Sequence, residues 1–346
     1  MPPRDDRIDA LKLVGSQLIV LHHLSAYGPV ADAVEQAAPG LMRWLYNDAR
    51  MAVQVFLVLG GYLAAQSLAG LGTASALPGS RLGLTLLRRY LRLILPFMAA
   101  MALAVVSAGF ARRWLDADFI PVLPSGGQLL AHAALLHGVL GVEALSAGVW
   151  YVAIDFQLFT LLALLLGLGS DRGGTGGRKA SLLVLTLMTA SLFHFNRDAR
   201  WDNWAIYFFG AYGLGAATYW AVCAARPTRW LSWLTMLTLA ALALDFRGRI
   251  ALALAVALLL GLIQWYRPAS RAWPPWLDRP VHALGRSSYA LFLVHFPVLM
   301  LGNALFARLG WSGPAAGGVM LLIIWSASVA LGFQARTACS LAGVAQ

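Results

Sequence analysis

The sequence predicts an all-α, polytopic integral membrane protein, and three observations carry that reading. Of its 346 residues, 60% are hydrophobic and 12% are charged, where a soluble domain has about 25% charged residues. Apolar runs of membrane length recur from one end of the chain to the other, and the mean hydropathy is +0.69. The net charge of +11 collects in alternate segments between the runs, as the positive-inside rule requires. This composition leaves no room for a second soluble domain, so residues 1–346 are expected to form one transmembrane domain. It also explains the basic balance without a nucleic-acid partner; the expected surroundings are membrane lipids.

The first run, Ile8–Gly28, is long enough to span. It is expected to remain as the first helix rather than to be removed as a signal peptide. The later candidate spans are Ala49–Ala69, Leu93–Phe110, Val149–Gly169, Ser181–Asn196, Trp204–Val222, Trp230–Asp245, Ile250–Tyr266, Ser287–Ala307 and Gly313–Phe333. About ten transmembrane helices result. An eleventh run, Gln128–Gly141, is too short to cross and carries Gln128, His132 and His137; it reads as one short re-entrant or interfacial helix. Gly70–Gly83 and Gly169–Arg178 are the flexible-looking connections.

With the N-terminus in the cytoplasm and Gln128–Gly141 not spanning, 17 of the 26 basic residues fall inside and nine outside. Both termini are therefore expected in the cytoplasm. No internal repeat is visible, so the inverted halves of many secondary transporters find no counterpart. The two cysteines, Cys223 and Cys339, have neither a metal spacing nor a pairing pattern.

Ionisable groups inside such spans cost about 2.5–3.5 kcal/mol each at the centre and usually face a bundle interior. Lys12 and His23 lie eleven residues apart in the first span. That is three turns plus about 20°, so they share one helix face at roughly 16 Å separation. Ser16 and Ile19 lie on the same stripe. His22 points about 100° away and reads as packed or hydrogen-bonded. Lys12 alone could equally snorkel to the headgroups.

Three further constellations stand out. Arg88, Arg89 and Arg92 fall within five residues, ahead of Pro96 and with no acid between Gly70 and Phe110. They suit a polyanion, or simply anchor the inner boundary. Trp150–Phe159 carries Asp155 at a depth like that of His23, where a carboxylate could fix an imidazole tautomer. Gly285–Pro297 carries His295 before a proline, a position suited to a hydrogen-bonded core histidine and less so to catalysis. His132 and His137, five apart, make a poor metal pair, and no metal site is expected.

Together these residues resemble the bacterial membrane acyltransferase-3 family over about Arg7–Phe333. Lys12 and His23 match its basic residue, ten intervening residues and His, and Phe56–Tyr62 resembles Phe-Phe-x-Leu-Ser-Gly-Tyr/Phe. Arg89, Arg92 and Pro96 match its Arg-x-x-Arg and following Pro. Trp150–Phe159 is similar to Trp-x-Leu-x-x-Glu-x-Gln-Phe-Tyr, and Gly285–His295 to Gly-x-x-Ser-Tyr-x-x-Tyr-Leu-x-His. Here Lys12 stands where Arg is commoner, Gly60 replaces Ser, Asp155 replaces Glu and Phe292 replaces the second Tyr. The fused esterase-like domain of many relatives is not expected here, where the resemblance covers the transferase domain alone.

The resemblance implies an O-acyltransferase of the bacterial inner membrane. Its donor would be a cytoplasmic acyl-CoA, with acetyl-CoA the first choice, used as a substrate rather than held as a cofactor. Its acceptor would be a hydroxyl of a cell-envelope glycan or lipid-linked sugar. His23 would be the general base, assisted by Asp155, with Lys12, Arg88, Arg89 and Arg92 binding the donor. Direct transfer and an acyl-imidazole intermediate are both open. The alternatives are a transporter or flippase for an anionic sugar or lipid, lined by Lys12, His23 and Asp155, or a non-catalytic partner in a glycan-synthesis complex.

Overall fold

The structure is a computed structural model that describes residues 6–69, 79–169, 176–266 and 274–341. Every regular element among the described residues is helical. The α-helices are α1 (Asp6–Ala26), α2 (Pro29–Glu35), α3 (Pro39–Asn47), α4 (Val53–Leu68), α5 (Gly79–Ala111), α6 (Gly126–Ala133) and α7 (Trp150–Leu168). They continue with α8 (Gly176–Phe193), α9 (Ala205–Cys223), α10 (Pro227–Leu244), α11 (Gly248–Tyr266), α12 (Pro275–Arg308) and α13 (Gly313–Leu341). Of the two glycine-bearing connections, residues 70–78 and 170–175 lie outside the described residues.

Six of the helical segments are long and apolar enough to cross a membrane: Pro39–Leu68, Arg81–Ala111, Trp150–Leu168, Gly248–Tyr266, Trp276–Arg308 and Gly313–Ala338. The chain is thus a membrane protein with at least these six candidates among the described residues. Each of the other four runs is helical but less apolar. Asp6, Arg7, Asp9 and Lys12 charge the first turns of α1, and α8, α9 and α10 mix Gly, Ser, Thr or Tyr into 18 or 19 residues.

Three boundaries differ from the sequence expectation. α5 starts at Gly79, well ahead of Leu93, and its 33 residues run through Pro96. A proline removes one backbone donor, which a helix packed among others tolerates. Arg81, Arg88, Arg89 and Arg92 therefore sit on one continuous helix. Likewise α12 runs through Pro280 and Pro297. The run Gln128–Gly141 is helical only to Ala133. Ser125 caps its start by accepting from Gln128 N–H at 3.1 Å, and Leu135 takes a positive φ of 55° just past its end. Between α1 and α4 the chain folds into two short helices, each opened by a proline at its first helical position, where the missing N–H costs nothing.

The described chain forms two compact units. The first comprises Met1–Ala52, Arg92–Trp150 and Ala272–Gln346. In it α1 packs on α12, α12 on α13, and α2 and α3 close over one end of α1. Its core includes Val20, Leu24, Leu291, Phe296, Leu299 and Met300. The second comprises Val53–Leu91 and Tyr151–Arg271, with α9 packed against α4, α8, α10 and α11. There α4 and α9 approach backbone to backbone: a Cβ at Gly61 would overlap the Tyr212 carbonyl, and one at Gly215 the Val58 carbonyl. Small residues at such crossings are what lets apolar helices associate in lipid, where no hydrophobic drive separates one apolar surface from another.

Candidate active site

The stripe predicted on α1 is real. Ser16, Ile19 and His23 are buried along it, His23 to 7% exposure. His22 lies off that face and points its Nδ1 at the Leu45 carbonyl, 3.2 Å away, which secures α1 to α3.

The partner of His23 is His295. His23 Nδ1 and His295 Nε2 lie 2.7 Å apart, and the rings stack at 4.9 Å with 15° between planes. Backbone chemistry decides which nitrogen carries each proton. His295 Nδ1 is 2.7 Å from the Phe292 carbonyl, which can only accept, so His295 Nδ1 donates. In a neutral ring its Nε2 is then the acceptor, and His23 Nδ1 must donate to it. His23 Nε2 is left as an acceptor with no hydrogen-bond partner among the described residues. A carbonyl–imidazole–imidazole relay of this kind fixes the tautomer and orientation of the His23 ring, as a carboxylate does for a histidine in the Ser-His-Asp arrangement.

Gly148 guards that nitrogen's side of the ring. Its φ is +82°, and a Cβ there would stand 3.3 Å from His23 Cε1 and 3.1 Å from the Phe292 ring. Only glycine takes this conformation without strain, and a side chain there would press on the edge of the His23 ring.

Toward the start of α1, Lys12 faces Asp9 at 3.9 Å. Asp9 also accepts from His282 Nδ1 at 2.9 Å, and Asp6 from His282 Nε2 at 2.9 Å. Lys12 thus belongs to a charged cluster tying α1 to α12. The sequence reading missed His282.

In the second unit, Asp155 is engaged by Arg89. Arg89 Nη2 donates to Asp155 Oδ2 at 2.6 Å, with side-chain exposures of 31% and 11%. The guanidinium also lies 4.9 Å over the Phe159 ring. The sequence set Arg89 with Arg88 and Arg92 as a phosphate-binding trio and held Asp155 ready for His23. In the structure Arg89 holds the carboxylate, while Arg88 and Arg92 are exposed. Gly60, where the resembled motif has Ser, lies beside the pair: a Cβ there would be 3.3 Å from Asp155 Oδ1 and 3.1 Å from the Tyr212 ring. Arg89 Nε and the Tyr212 hydroxyl are buried donors without a partner among the described residues.

His132 donates from Nδ1 to the Gln128 carbonyl at 2.8 Å and accepts at Nε2 from Leu145 N–H at 3.2 Å. Both nitrogens are spent on backbone, so this ring shapes the loop. His137 stacks on it at 4.2 Å and 3°.

Residues 5–333 match the family model Acyl_transf_3, described as an acyltransferase domain. No curated protein and no solved structure matches the chain. The paired histidines, the basic helix and the Arg89–Asp155 pair are therefore carried on a framework matched over nearly its whole length, and the chain belongs to the acyltransferase-3 family, as an acyltransferase.

Proposed function

We propose that this protein takes an acyl group, acetyl in the first instance, from cytoplasmic acyl-CoA and transfers it to a sugar hydroxyl of the cell envelope. His23 is the general base. The observation that carries this reading is the His295–His23 relay, which leaves His23 Nε2 as an acceptor with no partner among the described residues, on a buried ring.

His23 Nε2 takes the proton of the acceptor hydroxyl, and the oxygen attacks the thioester carbonyl. A carbon–oxygen bond forms and the carbon–sulfur bond breaks. The departing CoA sulfur recovers the proton from the imidazolium. Such a base contributes about 10²–10⁴-fold. An acyl-imidazole route would use the same nitrogen. Arg88 and Arg92, one turn apart on α5, take the nucleotide phosphates by charge-assisted hydrogen bonds. The rise of roughly 16 Å from Lys12 to His23 suits an extended pantetheine arm. Asp155 acts through Arg89, holding its guanidinium in place. The ten helical runs span the bacterial inner membrane with both termini in the cytoplasm, as the charge distribution supports.

The test is acetyl-CoA binding and acyl transfer by purified protein in lipid, for wild type and for Arg88→Ala/Arg92→Ala. The expected result is saturable binding and transfer in the wild type, with affinity about tenfold or more weaker in the double variant. Wild-type protein that binds no acyl-CoA of any chain length would remove the donor assignment. Sugar movement without acylation would favour transport.

A further inference from the structure

An open cleft of about 590 Å³ lies at the His23 end of α1, within the first unit. Its volume is in the range of small-molecule sites. One wall is the turn from α1 into α2, with Tyr27, Gly28 and Asp32; the other is the segment after α5, with Asp118 and Phe119. Its described lining holds two carboxylates and no cationic side chain.

Both walls are fixed from behind. Gly28 turns the chain at φ +84° with the Asn303 side chain against it, and Asn303 Oδ1 accepts from Val30 N–H at 3.1 Å. Across the cleft, Arg112 donates to the Ile120 and Pro121 carbonyls at 2.8 and 3.2 Å. The guanidinium is spent on the loop backbone.

An aromatic floor joins this cleft to the histidine pair. Tyr27 lies one turn beyond His23, with ring centroids 6.0 Å apart. Its ring meets Phe119 at 5.7 Å and Phe296 at 5.3 Å, and Phe296 meets His23 at 6.4 Å. His23 itself is 7% exposed, with no partner for Nε2 among the described residues.

We propose that this cleft is the acceptor subsite and that it selects a sugar without acidic groups, neutral or amino. The inference rests on the acyl-transfer reading above. Aromatic faces at Tyr27 and Phe119 suit the C–H face of a pyranose, and Asp32 and Asp118 accept hydrogen bonds from its hydroxyls or ammonium. The same carboxylates repel an acidic sugar, so the cleft recognises one class and refuses another by charge.

Equilibrium binding separates this proposal from the activity itself. Methyl glucoside, glucosamine and glucuronate are titrated against the full chain in lipid nanodiscs, for wild type and Asp32→Asn/Asp118→Asn, with acetyl-CoA affinity as the folding control. Wild type is expected to bind the first two and to discriminate against glucuronate by about tenfold or more. The double variant should narrow that gap to about twofold, and Phe119→Ala should weaken all three probes together. Equal glucuronate binding by wild type, discrimination retained in the double variant, or no binding of the first two probes would each overturn the assignment. Failure of thioester turnover would strike the acyl-transfer reading and leave this binding readout standing.

Discussion

A histidine is defined by what its two nitrogens touch, and three rings here illustrate the range. His23 is held from one nitrogen and has no partner at the other among the described residues. His132 is satisfied at both by backbone. His137, 1% exposed, is satisfied at neither among the described residues. Burial, reinforced by the neighbouring His132 ring, pushes the His137 imidazole down to about 4. The unfolded ring protonates near 6.5 while the folded one stays neutral to about 4, so the unfolded state gains protons first. The contribution is whole above pH 6.5 and is lost as pH falls from 6.5 through about 4. Thermal unfolding in lipid should show a midpoint falling across that window. His137→Phe, which keeps the stacked ring, should flatten the fall. An unchanged slope in the variant would assign the acid sensitivity elsewhere.

Site residues differed in how legible they were. Lys12 and His23 could be paired from the sequence because eleven residues return a helix to the same face. His295 could not, since its role depends on α12 packing beside α1, 272 residues away. Reading depth along a span gives height but not direction. Depth along a span therefore does not announce that Asp155 is held by Arg89, 66 positions away.

Among the elements, apolar runs were read well and their ends poorly. α5 begins at Gly79 rather than Leu93 and continues through Pro96, because neighbouring helices support a turn that one missing donor weakens. The short α2 and α3 were missed although Pro29 and Pro39 mark their starts; seven and nine residues are too few for periodicity to speak. The contact that sequence could not announce is the crossing of α4 and α9. Gly61→Leu must push a side chain into the Tyr212 carbonyl and part the two helices. Overpacking of that kind costs about 1–3 kcal/mol, so the unfolding midpoint should drop by several degrees. A midpoint equal to wild type would show that the crossing is looser than described.

For the molecule as a whole, composition and the spacing of motifs carried the class. The proposed transfer, from a charged nucleotide donor to a sugar hydroxyl, needs a basic surface for the one and a base with an open nitrogen for the other. Arg88 and Arg92 are exposed on α5, and His23 offers Nε2 at the opposite end of α1 from its charged first turn. Neither feature alone specifies transfer. The central claim is that the His23 ring performs the proton transfer under the control of His295. The measurement that tests it most directly is the acyl-transfer rate of His23→Ala and His295→Ala at saturating acetyl-CoA, with donor affinity measured on the same preparations. The account predicts a loss of about 10²–10⁴-fold for His23→Ala, and for His295→Ala a smaller loss with a shifted pH–rate profile, donor affinity unchanged in both. Transfer within a few-fold of wild type in His23→Ala, with the protein folded and the donor bound, would contradict it.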